Sequence, residues 1–504
     1  MAAEAPSANL SPAVAETHSG VVFFYGECAY KLKKPLDLGF LDFRSRETRR
    51  AVCHREVELN RRLAPDVYLG VADVLDSSGE LCEHMVVMRR MPDDRRLSKL
   101  VAAGVDVRSQ LDALARLLVG FHATAARGPR IDTAAGVDAV ARRWAANTAE
   151  LQRFAGRFVP ADAIATVDAL AARYLEGRRG LFEGRVAEGR ACDGHGDLLA
   201  DDIFCLDDGP RVLDCLEFDD DLRFGDVLAD VAFLAMDLER LGRGDLAEEF
   251  LASYRDEARD SWPASLAHHH IAYRAQVRAK VAAIRAAQQA ESGAVGEDHA
   301  AEQAVALLDL ARRHLEEGRV RLIVVGGLPG TGKSTLAAGL GQALGAVVLR
   351  SDVLRKELAG LEPERGAAAA FGEGIYSADS TAATYRELLA RAQTLLGLGQ
   401  TVVLDASWTD ATQRNAARTT ASAAAADLVE LCCVSPVPVT VERIRQRAQR
   451  GDDASDADEQ VASALAQIAD PWPEATRIDT DAEPSEVLHA AMRAIGSPTQ
   501  GARR

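Results

Sequence analysis

Hydrophobic spacing along the chain changes twice, and each change predicts a piece of architecture. Residues 21–33 read as a hairpin, with the apolar VVFFY and the alternating CAYKLK flanking Gly26-Glu27, a strand–turn–strand grammar. Apolar residues at helical spacing follow over 45–63. A second strand pair is expected over 70–76 and 81–89, turning at Ser77-Ser78-Gly79. Residues 107–188 repeat apolar positions at i, i+3, i+4 and i+7 and are expected to be mostly helical. Two short strands, 203–206 and 211–214, flank Asp207-Asp208-Gly209-Pro210, and helices resume from Asp226 to about Glu316. From Val320 the pattern becomes RLIVVGG, then AVVLR at 346–350, TVVLD at 401–405 and LVELCCV at 428–434, separated by helical stretches. Continuous apolar runs alternating with helices predict a parallel sheet buried on both faces.

The expected fold is therefore two-domain. A flexible N-terminus (1–18) precedes an α+β domain of two lobes (19–318), and an α/β three-layer domain with a parallel sheet fills 319–504. At 504 residues the chain is long enough for each domain to have its own core. Its formal net charge of -17 argues against nucleic acid or an anionic membrane as partner, since both select basic surfaces. The eight cysteines form no CxxC pair, which reads as buried thiols in a reducing compartment. Residues 1–18 lack the basic-then-apolar order of a secretion signal. A cytoplasmic location is expected.

The strongest chemical signal is Gly327-Leu328-Pro329-Gly330-Thr331-Gly332-Lys333-Ser334, directly after the apolar run Leu322-Ile323-Val324-Val325. This is the Walker A spacing. A glycine-rich turn from strand to helix aims backbone N–H groups at phosphate oxygens, with Lys333 on the β/γ phosphates and the Ser334 hydroxyl on Mg²⁺. Thr335 continues the same nucleotide-binding turn. Asp405 closes the strand TVVLD, where it is either a carboxylate that orients Mg²⁺ or its water or a solvated acid at a strand end. Asp352, in Ser351-Asp352-Val353-Leu354-Arg355, is either the base for an acceptor hydroxyl, with Arg355 holding an anionic group, or part of a helix N-cap. Arginines at 443, 445, 447 and 450 share a helix that turns at 451–456. It reads as a lid in which Arg443 contacts nucleotide and Arg447 stabilises the transferring charge, or as a solvated charged helix. Residues 372–385, with Tyr376, Ser377 and Tyr385, are assigned to a substrate-side wall.

From residue 320 onward the chain resembles the P-loop small-molecule kinases that include gluconate kinase, chloramphenicol phosphotransferase and zeta-toxin-like kinases. The Walker A match, the SD-x-x-R segment, DAS at 405–407 and the arginine-rich lid stand in that group's order. The resemblance implies transfer of the γ-phosphoryl group of Mg-ATP to a hydroxyl of a sugar, metabolite or drug.

A second constellation lies upstream, in Asp193-Gly194-His195-Gly196-Asp197-Leu198 followed by Leu213-Asp214-Cys215-Leu216-Glu217-Phe218. With YKLKKPLDLGFLDF and NRRLAPDVYLGV, these residues resemble the aminoglycoside phosphotransferase family, and a bacterial subgroup in which such a domain precedes a P-loop kinase. The resemblance implies a protein-kinase-like fold. In it Asp197 is the base, Asp214 holds Mg²⁺, and Glu56 pairs with the phosphate-contacting lysine, Lys31 or its same-face neighbour Lys33. Asp202 stands where the family usually has a metal-binding Asn, and its extra charge weakens the case for ATP at this site. Arg274 and Arg278, at i and i+4, either steady an anionic substrate or form salt bridges on a helix. The leading expectation is a bifunctional ATP- and Mg²⁺-dependent kinase acting on small hydroxyl compounds. The alternatives are one active P-loop kinase with a kinase-shaped regulatory module, or a P-loop ATPase switch.

Overall fold

A computed structural model describes residues 13–16, 20–36, 43–292, 296–362, 374–450 and 457–496. Its contacts group into two compact units. The first comprises Met1–Asp168, Phe182–Trp262 and Ala267–His314; the second comprises Ala169–Leu181, Pro263–Leu266 and Leu315–Arg504. The second unit thus draws two short pieces from sequence that precedes residue 319.

The first unit begins with a five-stranded antiparallel sheet in the order Ala13–Glu16, Gly20–Tyr25, Cys28–Lys33, Leu81–Arg89, Tyr68–Leu75. The expected hairpin turns at Gly26, whose φ of 57° a side chain would oppose. Strand Cys28–Lys33 alternates half-buried and buried, so Ala29, Lys31 and Lys33 share the covered face. Helix Arg46–Asn60 is capped by Ser45, which accepts from the Thr48 N–H at 3.0 Å. It buries Cys53 and Val57 against Ala29, Tyr68, Val86 and Met88. Within the expected flexible N-terminus, Ala13–Glu16 forms a strand, all four residues exposed, so its sequence has no alternation to read.

Helices Arg108–Thr124, Pro129–Ala135 and Val137–Gln152 follow. Strand Ala191–Asp193 then pairs with Phe224–Asp226, and Ile203–Leu206 with Gly209–Val212. The turn in the second pair is shorter than the sequence suggested. Gly209 at φ 121° already belongs to the strand, and Pro210, with no N–H to give, sits in a two-stranded ribbon where one missing donor is tolerated. Helix Val227–Arg240 is buried almost throughout.

The second unit carries a parallel sheet in the order Val347–Arg350, Val402–Asp405, Arg321–Gly326, Asp427–Val434, Thr476–Asp479. Leu322 to Val325 are fully buried in its central strand. Ile323 and Val325 pack with Leu336, Leu340, Val403, Leu431 and Ile478. Strand Thr476–Asp479 was not anticipated, because only one of its four residues is buried. The borrowed pieces are stitched in by hydrogen bonds: Arg178 Nη1 donates to the Ala424 carbonyl at 2.7 Å, and the Ser265 hydroxyl to the Gly399 carbonyl at 2.8 Å. Among the described residues no helix is long and apolar enough to cross a membrane.

Candidate active sites

In the first unit, the loop from Asp193 to Asp202 is held by two carboxylates seven residues apart on one apolar helix. Asp230 accepts from the His195 and Gly196 N–H groups, each at 2.8 Å, and pairs with His122 at 3.1 Å. Burial opposes its charge, but these donors outweigh it and hold its carboxyl well below the usual range. Asp237 accepts from the Ala200 N–H at 3.0 Å. Arg62 fixes the loop from the other side by donating to the Asp193 and Gly194 carbonyls, both at 2.9 Å. Gly196 has a left-handed φ of 87° that a side chain would oppose, and a Cβ there would also crowd Arg223 Cγ at 3.0 Å.

His195 is fully buried, and burial lowers its pKa to about 4, so it is neutral at ordinary pH. Its Nε2 lies 3.1 Å from the Leu213 carbonyl, which requires an N–H there and leaves Nδ1 to accept from the Asp197 N–H at 3.4 Å. One imidazole thereby ties Asp197 to the segment carrying Asp214. Asp214 has a left-handed φ of 62°, with its N–H on the Tyr68 hydroxyl at 3.1 Å. A non-glycine residue in that region is strained, a feature that clusters at functional positions.

Two lysines converge on one glutamate. Lys31 Nζ lies 2.9 Å from Glu56 and 2.5 Å from Asp214, while Lys33 Nζ lies 2.6 Å from Glu56 and also pairs with Glu217. The structure distinguishes the two: Lys31 links Glu56 to Asp214, and Lys33 is committed to Glu56 and Glu217. Burial opposes ionisation of Asp214, yet Lys31 overrides it and brings the carboxyl down to about 2. Burial raises Asp197 to about 6, with Arg278 opposing. Asp202 is pushed well above the carboxylate range by burial and by Asp214 and Asp197. Asp202 and Asp214 are buried acids that act on one another, and carboxylate oxygens of this kind are the donors a divalent ion takes.

In the second unit the P-loop joins strand Arg321–Gly326 to helix Lys333–Leu344. Its glycines are required by space as well as by dihedral. A Cβ on Gly327 would lie 2.7 Å from the Cys433 carbonyl oxygen, and one on Gly330 2.7 Å from that of Thr440. Gly332 precedes the helix at φ 79°. The Thr480 hydroxyl donates within reach of the Thr331 carbonyl at 2.8 Å and braces the loop. Gly330, Lys333, Ser334, Thr335, Arg443 and Arg447 line a cavity of about 620 Å³. Arg443 Nη2 donates to the Thr480 carbonyl at 2.8 Å, and its Nη1 is buried without a partner. Arg447 donates to the Ala457 carbonyl.

Asp405 is buried at the end of strand Val402–Asp405, with Oδ1 unpartnered and Oδ2 3.3 Å from Arg350. Burial raises its pKa, with Lys333 and the Ser334 hydroxyl opposing. An orphaned carboxylate oxygen beside a serine hydroxyl and a P-loop lysine fits a hydrated Mg²⁺. The N-cap of helix Ser351–Leu358 is Arg350, without a side-chain cap bond. The N-cap alternative for Ser351 and Asp352 therefore fails, because the helix starts one residue earlier than a Ser351 cap needs and two earlier than an Asp352 cap needs.

Arg355 donates to the Ile375 carbonyl and the Thr381 hydroxyl, both at 3.0 Å, and stacks 5.1 Å from the Tyr376 ring. Of the assigned wall, Ser377 caps helix Ala378–Gly397, and Tyr385 is buried against Trp408 with its hydroxyl 3.2 Å from Ser407. Residues 372–373 and the lid turn 451–456 lie outside the described residues. Asp230, Asp237, Arg62 and Thr480 were missed from sequence. For the first two a signal existed: acids at 230 and 237 interrupt an otherwise apolar helix, and buried acids need partners.

Residues 40–268 match the model of the phosphotransferase enzyme family, and residues 322–471 match an AAA domain. The chain is 46% identical over 467 residues to uncharacterized proteins of Mycobacterium tuberculosis and Mycobacterium bovis, covering 93% of this chain and 92% of each relative. Among solved structures, a choline/ethanolamine kinase family protein from Mesorhizobium loti is similar at 14% identity and TM-score 0.35, covering 62% of this chain and 94% of that one. A gluconokinase from Sinorhizobium meliloti is similar at 17% identity and TM-score 0.26, covering 35% of this chain and 91% of that one.

Proposed function

We infer function from a plain premise: the chain belongs to the family of these mycobacterial proteins, with a phosphotransferase-family region followed by a P-loop domain. Both regions are of kinase type, and the reading that fits them best is a bifunctional kinase with one phosphoryl-transfer site in each unit. The observation that carries it is the duplication of phosphate-handling chemistry. One set is Lys31, Glu56 and Asp214 in an ion-paired chain beside the Asp197 loop. The other is Lys333, Ser334 and Asp405 at the P-loop.

In the first unit, Asp197 takes the proton of an acceptor hydroxyl while that oxygen bonds to the γ-phosphorus of ATP, and the bond to the β-γ bridging oxygen breaks to release ADP. Lys31 neutralises phosphate charge. Asp214 and Asp202 would hold Mg²⁺, which supplies the remaining charge compensation. In the second unit the P-loop N–H groups and Lys333 bind the phosphates, Asp352 faces the acceptor, Arg443 contacts the nucleotide and Arg447 stabilises transferring charge. Ser334 and Asp405 would hold Mg²⁺ there. Both acceptors are small hydroxyl-bearing molecules.

Asp202 favours a second reading, in which the first unit binds but does not transfer, because a third carboxylate opposes ATP phosphates. A screen of hydroxyl compounds for ADP release separates these. Asp197→Asn and Lys333→Ala should each abolish turnover on a different acceptor. Turnover untouched by Asp197→Asn would leave only the P-loop kinase, and ADP release independent of every acceptor would mark a switch ATPase.

A further inference from the structure

The consecutive histidines His268, His269 and His270 lie in the second turn of helix Ala264–Ser292 and meet different neighbours. His269 accepts from the Trp144 indole N–H at 3.2 Å, and His270 packs edge-on against the Phe182 ring. His268 instead meets His314 of helix Glu297–Glu317, with the two Nδ1 atoms 2.8 Å apart. Two ring nitrogens at that distance need a proton or a metal cation between them, because facing lone pairs repel.

His314 is 4% exposed, and its other nitrogen, Nε2, lies 3.0 Å from the Glu239 carboxylate. That contact needs an N–H on Nε2, so the neutral ring presents its Nδ1 lone pair to His268. Arg313 donates to the same Glu239 oxygen at 2.7 Å and helps to fix it. Glu317 follows one turn after His314 on the same helix, where side chains at i and i+3 share a face. A nitrogen from each of the two histidines and a Glu317 oxygen all lie within 4.8 Å of one another.

An imidazole that offers one nitrogen while a carboxylate holds its other N–H is the arrangement in which histidines ligate metals. Nitrogens bound at about 2.0–2.1 Å to a tetrahedral ion stand about 3.3 Å apart. His268 and His314 therefore need to open by only about 0.5 Å to admit one. Glu317 is exposed, which gives the ion a way in and leaves room for water as a fourth ligand.

We propose that His268 and His314, through their facing Nδ1 atoms, and Glu317, through its carboxylate, form a site for a divalent transition ion, Zn²⁺ by ligand type, with Glu239 orienting His314. Two imidazoles with one carboxylate suit Zn²⁺, whereas Mg²⁺ and Ca²⁺ take oxygen ligands. The ion joins helix Ala264–Ser292 to helix Glu297–Glu317. The first of these also carries Arg274, which donates to the Gly196 carbonyl at 3.3 Å. Glu239 stands two residues after Asp237, the acceptor of the Ala200 N–H. The ion thus braces helices that hold the Asp197 loop. This role is separate from phosphoryl transfer and does not depend on that reading.

The test uses the full chain without a histidine tag, stripped of metal by a chelator that is then removed. Zn²⁺ is titrated in competition with a chromophoric chelator, with Mg²⁺ in large excess so that sites built from carboxylates alone are occupied. Wild type should take up one Zn²⁺, and His268→Gln and His314→Gln should lose it. Glu317→Gln, at an exposed position, should weaken uptake with the circular dichroism spectrum unchanged, and Glu239→Gln should weaken it by about 10-fold or more. Zn²⁺ should also raise the thermal midpoint of wild type and leave that of His268→Gln where it was. A wild type that takes up no Zn²⁺ would overturn the proposal, as would uptake that His268→Gln and Glu317→Gln leave equal to wild type.

Discussion

On the proposed function, the two units handle phosphate in opposite ways. The P-loop site comes mostly from one contiguous stretch, in which backbone N–H groups and glycine dihedrals bind phosphate and the side chains that matter follow at once. The first unit assembles its proposed site from Lys31, Glu56, Asp197 and Asp214, brought together by buried ion pairs and by hydrogen bonds that Asp230 and Asp237 accept and Arg62 donates. A backbone site tolerates change in the surrounding core, whereas a site made of buried charges depends on every partner. Loss of one member should therefore damage the first unit in more ways than the second.

The sharpest break in that comparison is Asp197→Asn. It should lower acceptor turnover at the first unit by about 10²–10⁴-fold, the range for a general base, and leave P-loop turnover unchanged in a radiolabelled transfer assay. Next is Asp230→Ala, which strands the N–H groups of His195 and Gly196. Chemical denaturation should show the first unit losing about 2–5 kcal/mol, the scale of a broken buried network, with the transition of the second unit unmoved. An unshifted first transition would mean that the loop is braced elsewhere.

Acid sharpens the contrast. Asp197 has its pKa raised to about 6 and must be ionised to act. First-unit kcat/KM should rise with pH up to about 6 and fall about tenfold per unit below it. The stability sign is opposite: a carboxyl raised on folding contributes stability at low pH that is lost as pH rises through about 6. Asp197→Asn should therefore stabilise the first unit at neutral pH while inactivating it. The smallest effect belongs to a surface pair in the second unit, Arg391 with Glu357. Arg391→Gln should leave the denaturation midpoint of the second unit nearly unmoved, because exposed ion pairs are screened.

How much of this was legible in the sequence follows the same division. The P-loop could be read in full because its phosphate-binding parts are neighbours in sequence, and four of the five parallel strands because their apolar runs are continuous. Strands Ala13–Glu16 and Thr476–Asp479 were missed because exposed edge strands have no burial pattern. Lys31 and Lys33 could be placed on one face, but which of them meets Asp214 depends on where the segment 213–217 lands, and periodicity carries no such information. Ser377 and Tyr385 looked like substrate contacts by residue type. One is a helix cap and the other packs on Trp408, roles that the same chemistry serves equally well.

The central claim is that each unit has its own nucleotide site, and counting sites tests it most directly. Titration of the full chain with Mg-ATP by calorimetry should give two sites in the wild type and one in Lys333→Ala, with the survivor lost on adding Lys31→Ala. One site in the wild type and none in Lys333→Ala would contradict the account and leave the first unit as a kinase-shaped module that does not bind nucleotide.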